Sequence, residues 1–210
     1  RMNSGSIISR PAVEIASTDG LLMKKFRDLG VRAVGVEPAV NIAAMARRDG
    51  LEVVNEFFTL TSAQAVRAQY GPADVVLGNN VLAHVNDLTD FLRGIELLLK
   101  PTGGVSIEVP YVRDLIEHRE YDTIYHEHLS YFSGAVLARL FARHGLEVYD
   151  LERVPIHGGS LRVHGQKKGG PQPLTVRCKK LLAEEQEMGL NTLEFQRRFA
   201  RQVEHTREAL

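Results

Sequence analysis

The chain has 210 residues, 44% of them hydrophobic, and its 26 basic and 26 acidic side chains cancel at neutral pH. That composition suits a large globular domain with a buried core and leaves no overall field to draw nucleic acid or an anionic membrane as a partner. The single Cys178 excludes an internal disulfide framework and a cysteine-based zinc site, so a reducing, cytoplasmic setting is expected. No apolar run reaches the roughly 18 residues of a membrane span.

From Ala12 to Val109, short β-branched runs alternate with stretches that carry apolar residues at helical spacing. Strands are expected at Ala12–Ala16, Ala33–Val36, Glu52–Asn55, Ala73–Leu77 and Val105–Val109, with helices at Leu21–Leu29, Val40–Asp49, Ser62–Tyr70 and Leu88–Leu99 between them. Strands joined in this way make right-handed crossovers, which predicts a doubly wound, mostly parallel α/β sheet covered on both faces.

The next segment, Thr123 to Ser133, packs two imidazoles, a carboxylate and two phenols into eleven residues. An imidazole beside a phenol can take a proton from carbon next to a carbonyl while a donor holds the enolate. A helical turn would put Tyr125 and His128 on one face, whereas an extended run would put His126 and His128 together, as a metal pair would need. Gly134–His144 then reads as a helix closed by Gly145. Leu146–Arg153 and Ser160–Gln166 read as antiparallel strands joined by a Gly-rich connection. After a linker of Gly, Pro and Lys come two charged helices, Leu174–Gly189 and Asn191–Leu210. A main domain over 1–168 and a helical appendage over 169–210 are expected. Leu181, Leu182, Leu190 and Phe195 of the appendage would pack against a further domain or a second chain. Arg1–Arg10 leads almost directly into a strand and Leu210 stops inside a helical pattern, so the chain is expected to be the core of a longer protein.

Ligands of an open α/β sheet collect beyond the carboxyl ends of the strands. Those ends carry Glu14-Ile15-Ala16-Ser17-Thr18-Asp19-Gly20, Glu37-Pro38, Asn55-Glu56-Phe57 and Gly78-Asn79-Asn80 followed by His84. An acid closing the second strand is placed to accept two ribose hydroxyls, which makes Glu37 a nucleoside clamp candidate. A dinucleotide needs a glycine trio for its pyrophosphate, and the first turn has only Gly20. S-Adenosylmethionine has no phosphate, so the turn favours the methyl donor. Plainer roles stay open: Asp19 as a cap for the helix near Leu21, and Glu37 as the lead into a proline turn.

Taken in order, Glu14 to Gly20, Gly35-Val36-Glu37-Pro38-Ala39, Asn79 to Val85, Glu108-Val109-Pro110-Tyr111, Tyr125-His126-Glu127-His128 and His157-Gly158-Gly159-Ser160-Leu161-Arg162 resemble the class I S-adenosylmethionine-dependent C-methyltransferases of the deoxysugar type. The resemblance implies the methyl donor as cofactor, a nucleotide-linked keto-sugar as small-molecule substrate, and no metal. It sets the cofactor against Glu14, Ala16, Ser17, Asp19 and Gly20, with Glu37 and Pro38 at the ribose, Phe57 near the adenine and Asn79 and Asn80 near the methionine moiety. It implies His128 as general base, with His84 and Tyr125 at the reacting end of the sugar and Glu127 orienting one of them. Thr18 stands where that family usually has Asn. Members of the family also carry an N-terminal zinc domain and a C-terminal Rossmann-like domain, neither of which is expected in this chain.

Overall fold

The computed structural model describes residues 11–209; the lead-in Arg1–Arg10 and the last residue, Leu210, lie outside the described residues. Seven strands form one sheet: β1 (Ala12–Ile15), β2 (Ala33–Val36), β3 (Glu52–Val54), β4 (Ala73–Asn79), β5 (Leu99–Pro110), β6 (Leu146–Val154) and β7 (Ser160–Lys167). Their order is β3-β2-β1-β4-β5-β7-β6. β1 runs parallel to β2 and β4, β2 runs parallel to β3, and β6 and β7 pair antiparallel. The expected doubly wound, mostly parallel sheet with antiparallel strands at its end is therefore present. β5 begins six residues before the expected Val105, because Lys100 to Gly104 continues the strand and does not turn.

The helices are α1 (Leu21–Asp28), α2 (Val40–Arg48), α3 (Leu60–Tyr70), α4 (Leu88–Leu98), α5 (Val112–His118), α6 (Gly134–Arg143), α7 (Val176–Met188) and α8 (Leu193–Ala209). Two compact units result, the residues up to Asn79 with Asp87–Ser106, and Asn80–Asn86 with the residues from Ile107 on.

In the first unit β1 is buried along its whole length, as a strand paired on both edges and covered on both faces must be. Met23 of α1 packs into Ala43 and Ala46 of α2 and Leu51 and Val53 of the following strand region. Gly20 precedes α1 with φ of 77°, a left-handed geometry that favours glycine, and any Cβ there would overlap the Leu51 side chain. A reciprocal capping box between Thr59 and Ser62 starts α3.

In the second unit α5 is an element the sequence pattern did not announce. The chain from Tyr111 to Phe132 leaves and returns to the same place: a parallel bridge joins the two residues, and the Val112 amide donates to the Phe132 carbonyl at 3.1 Å. Glu185 of α7 secures both ends of that loop. Its Oε1 accepts the Tyr111 hydroxyl at 2.8 Å and the Gly134 amide at 2.7 Å, and its Oε2 accepts the Ala135 amide at 2.9 Å. Burial and the neighbouring Glu185 charge push the Tyr111 phenol well above its ordinary value, so it remains a donor.

The apolar residues singled out on the two last helices are mostly covered within their own unit. Leu181 is buried, and Leu190 and Phe195 are buried against Leu115 and Ile116 of α5 within their own unit. Only Leu182 among the four apolar residues singled out stays half-buried. Glu185→Ala removes one charge and strands three donors at once. It is expected to cost at least about 1–3 kcal/mol, the penalty for a single unsatisfied buried group, measured as a shift of the chemical unfolding midpoint; an unchanged midpoint would show that the clamp carries no load.

Candidate active site

The carboxyl ends of β1 and β2 build a compact polar turn in the first unit. Ala16, Thr18 and Gly20 all have positive φ, at 55°, 48° and 77°, so the backbone after β1 folds tightly around Ser17 and Asp19. Glu37 is 6% exposed and binds that turn: its Oε2 accepts the Thr18 amide at 3.0 Å and its Oε1 the Ala39 amide at 2.9 Å. Each oxygen keeps acceptor capacity for a hydroxyl. Asn55, at the end of β3, donates to the carbonyls of Glu37 and Pro38 at 2.8 and 3.0 Å and so fixes the segment that carries the carboxylate. Asp19 is exposed and accepts the Leu21 amide at 3.2 Å, so it does cap the first turn of α1.

Among the described residues, Glu14 Oε2 and Ser17 Oγ are buried here without a partner. Burial first, and the negative charge of Asp19 second, push the Glu14 carboxyl up to about 7. Phe57 leaves β3 with its ring 76% exposed, and Asn79 is exposed at the end of β4. A buried carboxylate awaiting a cation, a second carboxylate with spare lone pairs and a bare aromatic ring match the ammonium, ribose and adenine of S-adenosylmethionine in kind. The residues present fit the cofactor.

In the second unit the loop between Tyr111 and Phe132 carries the reactive groups. The His128 amide donates to the Tyr125 carbonyl at 3.1 Å, so the segment is a turn, and the extended arrangement that would bring His126 beside His128 is not adopted. Tyr125 Oη lies 3.3 Å from His128 Nε2, with ring centroids 4.5 Å apart. His84 stands on a short 3-10 turn after β4. Its Nδ1 is 2.8 Å from the carbonyl oxygen of Glu127, which can only accept, so His84 carries its proton on Nδ1 and presents Nε2. Glu127 thus orients His84 through its backbone, while its carboxylate stays exposed. The Leu129 amide completes the clasp with a 2.9 Å bond to the Ala83 carbonyl.

His128 Nδ1 is buried, and among the described residues no group completes a hydrogen bond to it, the Thr123 backbone falling short of one. Burial, and then repulsion from His84 with ring centroids 5.0 Å apart, hold the imidazole below its ordinary 6.5 against the opposing pull of the Thr123 carbonyl and the Glu127 charge. His128 is therefore neutral at physiological pH and able to take a proton.

These rings line a cavity of about 360 Å³ that also includes Asn80, Tyr131 and His157. Asn80, expected near the methionine moiety, falls in this unit, with its amide nitrogen 3.3 Å from His157 Nε2. Both residues have φ of 52°, a left-handed conformation that costs a non-glycine residue about 1–3 kcal/mol and collects at functional sites.

His157 was quoted from sequence only as part of a motif and given no site role, although its Gly-Gly sequel was a signal. Gly159 has φ of 131°, and a Cβ there would collide with the Asp114 carboxylate. The loop is braced from α5: Arg153 pairs with Asp114 and, at 3.0 Å, with Glu117, and the Tyr111 amide donates to the Gly159 carbonyl at 3.0 Å. Arg162 at the end of that motif pairs with the buried Glu108 of β5 at 2.9 Å, a structural use of both charges.

Comparison with known proteins agrees with this geometry. Residues 10–151 match the methyltransferase-domain family, and residues 155–210 match the C-methyltransferase C-terminal domain. The chain belongs to the methyltransferase-domain family, and its sheet is that of the class I S-adenosylmethionine-dependent enzymes. The second match means that β7 and the last two helices, expected to stop short of a C-terminal domain, align with one.

C-methyltransferase NovU of Streptomyces niveus is 36% identical over 195 residues, which is 93% of this chain and 46% of that protein. The chain thus spans about half the length of that relative. A ubiquinone biosynthesis O-methyltransferase of Rhodopseudomonas palustris is 32% identical over 43% of this chain and 36% of its own length. Among solved structures, magnesium protoporphyrin IX methyltransferase from Synechocystis, with bound SAH, superposes with a TM-score of 0.59 at 12% identity, covering 78% of this chain and 76% of that one.

The His128 environment makes a direct prediction. A nuclear magnetic resonance titration should place its midpoint below 6.5, and His84→Gln, which removes the imidazole that repels His128, should move it up toward that value. A midpoint that ignores the substitution would contradict the close approach of the two rings.

Proposed function

We propose that this protein transfers the methyl of S-adenosylmethionine to a carbon next to the ketone of a nucleotide-linked keto-deoxysugar. The observation that carries this reading is the neutral His128 in contact with Tyr125 inside a cavity lined by two further histidines. The length of the NovU match and the C-methyltransferase C-terminal domain match support carbon as the acceptor.

When bound, S-adenosylmethionine supplies an electrophilic methyl on a sulfonium. Glu37 accepts the ribose hydroxyls with its remaining lone pairs, Glu14 ionises opposite the ammonium group, and Phe57 covers the adenine. In the second unit a ketone acidifies the neighbouring C–H. His128 takes that proton at Nε2, which displaces the Tyr125 hydroxyl proton from its bond to the ring. The freed O–H is then a donor for the enolate oxygen, and preorganised donation of this kind stabilises developing charge without reorganisation by solvent. After transfer His128 returns its proton to solvent.

Incubation with ¹³C-methyl donor and a panel of keto-sugar nucleotides tests the reading. A product methyl bonded to carbon is expected; a methoxy product would move the assignment to O-methylation, and binding of the donor without transfer to any sugar would mark a chain that binds but does not turn over. A general base contributes roughly 10²–10⁴-fold, so His128→Ala should lower turnover by that factor with donor affinity unchanged. Glu37→Ala should weaken donor binding by about 1–3 kcal/mol in calorimetry, and full retention of affinity would remove Glu37 from the site.

A further inference from the structure

We propose that the face of α8 opposite the C-cap of α5 is an anion site that takes a diphosphate, and that it receives the diphosphate of the sugar-nucleotide substrate, a step that rests on the function proposed above. Arg198, Arg201, Gln202 and His205 stand at i, i+3, i+4 and i+7 on α8, one face of the helix, and with Arg119 they line a cavity of about 290 Å³. No carboxylate lines it. Glu187 and Glu194 border an adjoining cavity that shares Arg198 and Arg201, but neither pairs with them, and among the described residues Arg119, Arg198 and Arg201 make no ion pair.

Such a concentration needs a cause in a chain whose charges cancel overall. Like charges three or four apart on a helix repel. Attraction to the helix dipole does not explain them, because only Arg207 lies in the last turn of α8, while Arg198 and Arg201 lie in its body. Arg198 is also held in place: its guanidinium sits 4.7 Å from the centroid of the Phe195 ring, and Phe195 is buried against α5. Arg119 is set at the C-cap of α5 by a left-handed φ of 60°. Guanidinium groups from two helices around one cavity, one of them pre-positioned, suit the forked recognition of phosphate oxygens, and three of them more than neutralise the two negative charges of a sugar-nucleotide diphosphate. S-Adenosylmethionine has no phosphate, so this site is not the cofactor's. Arg119 is followed directly by Glu120, which lines the reaction cavity, so the chain itself links the two sites.

The test is calorimetric titration of the 210-residue chain with inorganic pyrophosphate at low ionic strength, for the wild type and the double variant Arg198→Ala/Arg201→Ala. One pyrophosphate per chain is expected, with affinity that falls as salt rises and falls at least tenfold in the variant, while the melting temperature and S-adenosylmethionine affinity hold. A variant that binds pyrophosphate as the wild type does, or a wild type that binds none, overturns the site. A single-stranded oligonucleotide that binds more tightly than pyrophosphate and displaces it overturns the assignment to a small diphosphate. The outcome is separable from that of the proposed function: pyrophosphate bound at these arginines with no methyl transfer sinks only the reaction, whereas methyl transfer to a sugar nucleotide with KM unchanged in the variant sinks only the anion site.

Discussion

Glu185 lies 74 residues from Tyr111 and 51 from Gly134 in sequence, yet one of its carboxylate oxygens receives a hydrogen bond from each. Those partners are the two ends of the loop that presents Tyr125 and His128. Closing such a loop costs conformational entropy, and a charge placed inside a protein costs more unless donors surround it. Three donors do so here, two of them backbone amides at the start of α6, where the helix dipole also favours a negative charge. The carboxylate is thus both satisfied and irreplaceable by a neutral side chain. The position of the reactive loop, and through Tyr111 the position of the Gly159 turn, depend on it.

From that anchor, restraint passes outward to the reactive rings. The Tyr111 amide and the Arg153 bridge to α5 hold the turn that carries His157, while the Ala83 carbonyl holds Leu129 of the reactive loop and the Glu127 carbonyl holds the His84 ring. Rings held from behind by backbone can keep one face for a substrate. The left-handed conformations of Asn80 and His157 are a strain that these restraints overcome.

Much of this was legible beforehand, for identifiable reasons. The β-branched runs and the apolar spacing of Leu21 to Leu98 are local signals, and they located β1 to β4 and four helices to within a few residues and the second half of β5. Tyr125 and His128 were legible because they stand three positions apart and a turn brings such neighbours together. What escaped depends on distance along the chain. α5 is a seven-residue helix rich in charge, too short for a periodic stripe. Glu185 sits among other acids of α7, and nothing near it in sequence distinguishes a buried clamp from a solvated charge. Asn80 was named with Asn79 on the family resemblance, and nothing nearby in sequence signals its left-handed φ or its contact with His157, 77 residues away. Glu127 was read for its carboxylate, and the atom that orients His84 is its carbonyl.

The chemistry turns on one property, a neutral imidazole placed to take a proton from carbon. Burial and the neighbouring His84 keep His128 neutral, and Tyr125 supplies the donor that an enolate oxygen needs. The most direct measurement separates this proton transfer from the methyl transfer that follows it. In deuterated water, with S-adenosylhomocysteine occupying the cofactor site so that no methyl can move, the keto-sugar nucleotide should acquire deuterium at the carbon next to its ketone in the presence of the wild-type protein and not with His128→Ala. Exchange that persists in the variant, or wild-type protein that methylates this carbon yet never exchanges it, would contradict His128 as the base.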